Sequence, residues 1–276
     1  MLSLQTNNAA LSAQSSIGRT QGGLSTSMTR LSTGFRINTA SDDAAGLQIA
    51  TRLKAQTSGM AVAMRNTQNA TSMIQTAGGA LAEVKNMLVR MKDLATQSAD
   101  GSSSADDRTA LAAEFTDLQT EIANILENTT FGGTKLLSGT EGFGAAVKLQ
   151  IGATSAETMD IDVSTNVAAI GTQASTGLDI ATQAAANTTI DAVQTVINTV
   201  SEVDSALGGA ANRLAFVNNN LSNISSNTKA AIGRIMDTDF ATESANMTKN
   251  QMLTQAGTAM LKQSNQMSQM VMSLLQ

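Results

Sequence analysis

The feature that most constrains this chain is an apolar period of three and four residues that runs for tens of positions without a single proline to interrupt it. Leu53, Met60, Met64, Thr67, Thr71, Ile74, Leu81, Val84, Leu88, Met91 and Ala95 step by threes, fours and sevens until Asp100-Gly101-Ser102. A helix from about residue 47 to 99 would be about 80 Å long at 1.5 Å per residue, more than a globular domain of this size has use for. The same period recurs four more times. Leu4, Leu11, Ile17, Leu24, Met28 and Leu31 draw a stripe that stops at Gly34. Leu111, Phe115, Leu118, Ile122 and Ile125 are spaced 4-3-4-3, ending near Asn128. Val193, Ile197, Val200, Leu207, Ala211, Leu214 and Leu221 keep a seven-residue register, and Met260, Met267, Val271 and Leu274 carry the last helix.

Punctuation agrees with these spans. Ser41 is placed to cap the long helix, with Asp42 and Asp43 at the positive end of its dipole, and Asp106 and Asp107 fall in the first turn of the third helix. Only between about 136 and 175 does the period change. Val147, Leu149 and Ile151 alternate with Lys148 and Gln150, then Met159, Ile161 and Val163 alternate with Asp160 and Asp162, which predicts a β-hairpin. The plan is palindromic: helix, long helix, helix, small β insert, long helix, helix. The predicted fold class is mainly α, with long antiparallel helices in a coiled-coil rod, paired N- and C-terminal helices and a small β-hairpin insert.

Composition then narrows the chemistry. The 276 residues include no His, Cys, Trp, Tyr or Pro. That removes Ser-His-Asp and Cys-His nucleophile pairs, imidazole acid–base catalysis and zinc sites of the usual ligands. No catalytic, metal-binding or cofactor-binding residues are expected. A net charge of −5 and 2% aromatic residues argue against nucleic acid as a partner. No apolar run reaches about 18 residues, so no membrane span is expected. The N-terminus has no basic segment followed by an apolar one, so it does not read as a cleaved signal peptide. With only 14% charged residues and 15 Met, the helices look built to meet other protein surfaces.

Motifs that could suggest chemistry have plainer readings. Asp160 and Asp162 form the solvated side of a strand. Asp237-Thr238-Asp239 has the D-x-D spacing of some metal-dependent transferases but no surrounding βα pattern. Gly78-Gly79, Gly132-Gly133 and Gly208-Gly209 fit no phosphate-binding signature and read as close helix contacts or bends. Arg19, Arg30 and Arg36, the only ionisable side chains before Asp42, have a plain reading as solvated charges. Met252, Met260, Met267, Met270 and Met272 have the spacing of a core or subunit-contact face, with a promiscuous peptide-binding surface as the other reading.

Several blocks resemble bacterial flagellin. Thr29-Arg-Leu-Ser-Thr-Gly-Phe-Arg-Ile-Asn-Thr-Ala-Ser-Asp-Asp-Ala-Ala-Gly-Leu-Gln-Ile-Ala50 is similar to the family's N-terminal signature, and Gly233 to Glu243, Gln255-Ala-Gly-Thr258 and Leu274-Leu275-Gln276 resemble the C-terminal one. Between them Leu88 to Ser98, Phe131-Gly-Gly-Thr-Lys-Leu-Leu137 and Leu149-Gln-Ile-Gly-Ala153 match inner-domain landmarks. The resemblance implies a non-enzymatic subunit of the extracellular flagellar filament, exported unfolded by the flagellar type III pathway and added beneath a cap protein. Implied partners are many copies of itself in a helical filament, other flagellins, cap, hook-junction and export-chaperone proteins, and host flagellin receptors. On this view residues 1–44 and 237–276 form an inner core, 45–135 and 179–236 the two halves of the surrounding layer, and 136–178 a short β-rich insert. Filament-core contacts fall to Leu4, Leu11, Leu24, Met28, Leu31, Met260, Met267, Val271 and Leu274. A hook–filament junction protein or other flagellar-type secreted adaptor is the alternative, though such relatives are expected to depart further from the Asp42 to Ala50 block.

Two recognition sites are carried over from the resemblance. The plant receptor epitope is matched by Arg30, Leu31, Ser32, Gly34, Arg36, Ile37, Asn38, Asp42, Asp43, Ala44, Gly46, Leu47 and Ile49, with Phe35, Thr39 and Ser41 departing from the usual pattern. Toll-like receptor contacts align with Arg90, Leu94 and Glu114, where Lys92 and Asp93 replace a commoner Arg-Glu pair. The short insert implies a thin, smooth filament, and the absence of His excludes the zinc protease that some relatives carry there.

Overall fold

The computed structural model describes residues 7–138, 141–175 and 177–274. Leu4 and the side chains of Val271 and Leu274 lie outside the described residues. Helix α1 (Asn8–Thr33) is capped by Asn7, whose Oδ1 accepts from the Ala10 amide at 3.0 Å, and ends at Gly34, which takes φ 74° and donates its N–H to the Arg30 carbonyl. The long helix α2 (Ala44–Ala99) starts slightly earlier than its apolar stripe suggests. Its cap is Asp43 rather than Ser41: Asp43 Oδ1 accepts from the Gly46 amide at 2.9 Å, while the Ser41 hydroxyl pairs with Thr39. Adjacent cap-competent residues made this choice illegible in sequence. Helix α3 (Ala105–Asn128) begins in a full capping box between Ser104 and Asp107.

Strands β1 (Thr130–Phe131) and β2 (Thr134–Lys135) form a tiny hairpin around Gly132 and Gly133, whose φ values of 60° and 88° explain why both are glycine. This pair is therefore a turn and not a helix contact. Nor do Gly79, Gly208 and Gly209 mark close approaches, since a Cβ there would meet nothing within 4 Å. Strands β3 (Val147–Gln150) and β4 (Thr158–Ile161) pair antiparallel in the expected register region, Val147 opposite Ile161 and Leu149 opposite Met159.

The insert also holds a helix, α4 (Ser164–Ser175), that the sequence reading missed. Its polar run Ser-Thr-Asn hides only a short apolar spacing, and it is held by the burial of Val167, Ile170 and Ala174. Helix α5 (Gln183–Met236) extends well beyond its predicted stripe in both directions, and α6 (Phe240–Leu274) starts more than five turns before Met260, its first predicted contact residue.

Contacts divide the chain into two units, one of residues 56–226 and one of residues up to 55 together with those from 227. The central unit has a continuous apolar core. From α2 it takes Ile74, Leu81, Val84, Leu88, Met91 and Ala95, and from α3 Phe115, Ile122 and Leu126. From α5 it takes Val193, Val196, Val200, Val203, Leu207, Ala210 and Leu214, a strict 3-4 alternation. Ile197 and Ala211, read from sequence as stripe residues, are only half-buried beside Val196 and Ala210. Two buried polar groups of this unit are satisfied: Ser98 Oγ donates to the Ile180 carbonyl at 2.5 Å, and Thr67 Oγ1 donates to Met64 O and accepts from Asn218 Nδ2.

In the terminal unit, by contrast, Ile37 and Ala50 are the only buried apolar side chains among the described residues.

Candidate assembly and recognition surfaces

Helices α1 and α6 pair antiparallel. Asn7 Nδ2 donates to Ser264 O and Oγ at 3.3 and 3.2 Å, and Arg30 reaches Glu243 at 3.7 Å at the other end. Between them two glycines let the backbones approach. A Cβ at Gly257 would meet Ile17 Cγ1 at 2.7 Å, and one at Gly23 would meet Asn250 Nδ2 at 3.0 Å. On α6 the buried and half-buried positions run Glu243, Met247, Asn250, Thr254, Gly257, Leu261 and Ser264, and the contacts just described fall on Glu243, Asn250, Gly257 and Ser264, seven residues apart and small or polar. The close approaches thus use small and polar side chains, while Ile17, Leu24, Leu31, Met247 and Leu261 are only half-buried beside them.

At the α1 end a seam joins the two terminal segments. Phe35 bridges Asp237 as an isolated antiparallel pair, Arg36 N–H donates to Met236 O at 2.6 Å, and Thr238 N–H donates to Gly34 O at 3.0 Å. The Arg36 guanidinium adds a hydrogen bond to Ile235 O at 2.9 Å. Arg30 is thus a half-buried partner of the C-terminal segment, and Arg36 bonds to the same segment while remaining exposed. The turn that follows is organised by Asp42, whose Oδ2 accepts from the Asn38 and Thr39 amides and the Thr39 hydroxyl at 2.9–3.1 Å. Hydrogen bonds from the Thr39 backbone, then from the Asn38 backbone, hold its carboxyl below the usual Asp value. Asp239 caps α6 by accepting from the Ala241 amide and the Thr242 hydroxyl, and the Thr242 hydroxyl is the main cause of its lowered pKa. The D-x-D spacing is therefore a cap.

Several bulky apolar residues of this unit face outward. Leu11 and Met28 on α1 and Met260 and Met267 on α6 are more than half exposed, while Leu24 and Leu31 are half-buried. Leu24 and Met28 line a shallow depression on α1 with Gln21, Ser25 and Ser32. None of the described residues expected in filament-core contacts is buried within the single chain.

The residues matching the plant epitope are split by folding. Ser32, Arg36, Asp42, Asp43, Ala44 and Ile49 are exposed, and Leu31, Gly34, Asn38 and Leu47 are half-buried. Ile37 and Gly46 are buried against each other, and a Cβ at Gly46 would stand 2.9 Å from Ile37 Cδ1.

On the central unit Arg90 Nε and Nη2 both donate to Glu114 Oε1, at 2.9 and 2.7 Å, linking α2 and α3 with both side chains about half exposed. Leu94 does not join them at the surface. At 1% exposure it belongs to the core, because its position on α2 falls one residue before Ala95 on the buried face. Lys92 Nζ donates to Gln194 Oε1 on α5 at 2.6 Å, so it too is engaged in the fold, while Asp93 is exposed. Asp160 pairs with Lys148 at 3.8 Å on the outer side of the hairpin, and Asp162 caps α4 through the Ser164 amide and hydroxyl. Among the described residues no group of three acidic side chains is arranged to hold a metal ion, and no helix is long and apolar enough to cross a membrane.

These features can be set beside known proteins. Residues 4–142 match the bacterial flagellin N-terminal helical region, and residues 190–275 match the bacterial flagellin C-terminal helical region. The chain is 43% identical over 249 residues to a flagellin of Halalkalibacterium halodurans, covering 90% of both chains. It is 36% identical over a 381-residue alignment to flagellin A of Vibrio anguillarum, covering both chains in full. A Vibrio parahaemolyticus structure assigned as a flagellar hook-associated protein superposes with a TM-score of 0.57, covering 71% of this chain and all of that one, but at 18% identity it shares the fold alone. With two helical end regions in the right order, matched in sequence across the terminal pair and the α2–α3 ridge alike, the chain belongs to the bacterial flagellin family.

Proposed function

We propose that this chain is a non-enzymatic structural subunit whose α1–α6 pair is completed by copies of itself. As a flagellin it is a subunit of the flagellar filament, the propeller of swimming cells. The observation that carries the structural account is the terminal pair, which runs the length of α1 yet leaves Leu11, Met28, Met260 and Met267 exposed. Apolar faces of this kind gain stability only when other copies cover them, and contacts between different faces of identical subunits propagate without closing. In this reading residues 1–44 and 237–276 line the inside of the filament, and the central helices of 45–135 and 179–236 lie around them, with 136–178 as a reduced outer insert.

Seeded assembly tests this directly. Purified chain added to short filament fragments at neutral pH should lengthen them under negative-stain electron microscopy. Persistent monomers or short caps would overturn the filament reading in favour of an adaptor.

The finer partners follow from the same reading. Export by the flagellar type III pathway, handling by export chaperones, attachment to hook-junction proteins and growth beneath a cap protein at the distal end fit a chain whose terminal unit leaves several apolar side chains to be covered in the filament. For host recognition, Arg90 and Glu114 offer a paired cation and carboxylate on an exposed ridge, and Leu94 contributes by anchoring α2 from below. The plant epitope acts as a peptide released from the fold, since Ile37 and Gly46 are buried in place. An excised 30–49 peptide should then be active where the intact folded chain is weaker, and equal activity would count against this account.

A further inference from the structure

Methionine is the one readily oxidised side chain in this sequence, which has 15 of them and no Cys, Trp, Tyr or His. Among the described methionines, two groups stand at the extremes of exposure, with Met64, Met73, Met87, Met236 and Met247 half-buried between them. Met60, Met91 and Met159 are 0–3% exposed in the central unit, whereas Met28, Met252, Met260, Met267 and Met270 are 56–68% exposed in the terminal unit. Four of the exposed set share α6. At 3.6 residues per turn they fall within one arc of that helix, rotated away from Glu243, Asn250, Gly257 and Ser264, which face α1.

We infer that this α6 methionine arc is an oxidation site for hydroperoxides, open in the free chain and closed by assembly, and that its oxidation blocks addition of the chain to a filament. The inference rests on the filament reading above. In the step, a thioether sulfur lone pair attacks the terminal peroxide oxygen and the O–O bond breaks. That oxygen stays on sulfur and gives up its proton to the displaced oxygen, which leaves as water from hydrogen peroxide or as an alcohol from an organic hydroperoxide. Sulfur loses two electrons and the peroxide gains them. The product carries a strongly polar S–O bond where an apolar, adaptable side chain had met its partner. Four such groups on one face would each need a hydrogen-bond donor that an apolar interface does not supply. A thiol-dependent sulfoxide reductase reverses the step, returning the oxygen as water and leaving a disulfide on the thiol side.

The test uses the full chain, free and assembled, with hydrogen peroxide as the probe. Peptide mass spectrometry of the free chain should show an added oxygen on Met252, Met260, Met267 and Met270 well before Met60, Met91 and Met159, and the oxidised chain should lose seeded elongation. In preformed filaments the α6 methionines should be protected, and sulfoxide reductase with dithiothreitol should restore elongation to the oxidised chain. A variant carrying M252L, M260L, M267L and M270L should elongate equally before and after peroxide. Oxidation of the α6 methionines no faster than the buried ones, unchanged elongation by the oxidised wild-type chain, or failure of the reductase to restore it would each overturn the proposal. If untreated chain fails to extend seeds, the filament reading falls and takes the assembly half of the inference with it, while the order of oxidation in the free chain still decides the site.

Discussion

The central and terminal units are built from the same sequence device and use it in opposite ways. On α2 and α5 the 3-4 apolar alternation closes within the chain, so Leu81, Leu88, Met91, Val196, Val203 and Leu207 are buried. On α1 and α6 a similar period leaves Leu11, Met28, Met260 and Met267 exposed, and the helices meet instead through Gly23, Gly257, Asn7, Ser264 and the Arg30–Glu243 pair. Large side chains on the central seam give the central unit its own core energy, at about 1.5–3 kcal/mol per fully buried Leu or Val. On the terminal seam small and polar side chains make the close approaches and the large ones beside them are only half-buried, which sets register and proximity but adds little stability. The lesson is that periodicity identifies a helix to be covered, while residue size at the seam decides whether the chain covers it alone.

The largest expected break in this comparison comes from deleting residues 237–276. Seeded elongation should be abolished, while circular dichroism retains the helix content of the central unit. A truncated chain that still extends filaments would show that the terminal pair is not the assembly face.

Single substitutions sharpen the contrast. Phe115→Ala or Leu88→Ala should destabilise the free chain by about 2–5 kcal/mol in denaturant unfolding, through lost burial and the cavity left behind. Leu11→Ala and Met260→Ala should cost the free chain under about 0.5 kcal/mol yet slow elongation clearly. A large unfolding effect from either terminal variant would mean that these side chains are already covered in the single chain.

Acid should act on the terminal seam through Asp42 and Asp239. Both have folded pKa values depressed by hydrogen bonds to the carboxylate, so their stabilisation is fully present above the unfolded value, about 4, and is lost as pH falls through the lower folded values. Asp42→Asn together with Asp239→Asn should weaken the terminal helices at neutral pH and flatten their loss of ellipticity below about pH 4. An acid limb identical to that of the wild type would assign the transition to other groups, with Asp100, Asp107, Glu157 and Asp162 of the central unit the next to test.

The smallest effect belongs to the exposed ridge. Arg90→Ala should change unfolding stability by no more than about 1 kcal/mol, because both partners of the pair are half exposed and screened. Loss of host-receptor signalling by this variant without loss of stability or elongation would separate recognition from assembly at the same residue.

By itself the sequence determined the helical class, the order of the main elements, the hairpin of β3 and β4 and the absence of His- or Cys-based chemistry. These follow from local periods of 3.6 and 2 and from residue inventory, which need no long-range information. The flagellin signatures were legible for the same reason, as contiguous blocks. Only the tertiary structure decided which neighbour each face meets. It made Asp43 the cap of α2 where Ser41, Asp42 and Asp43 were locally equivalent, and it formed α4 from a short polar stretch because Val167 and Ile170 found a core to enter. It placed Leu94 inside the central unit while leaving Arg90 beside Glu114 at the surface. It also turned Arg30 and Arg36 toward the C-terminal segment, some two hundred residues away in sequence. Burial depends on what lies opposite a side chain, and a pattern along one strand of chain cannot name its partner.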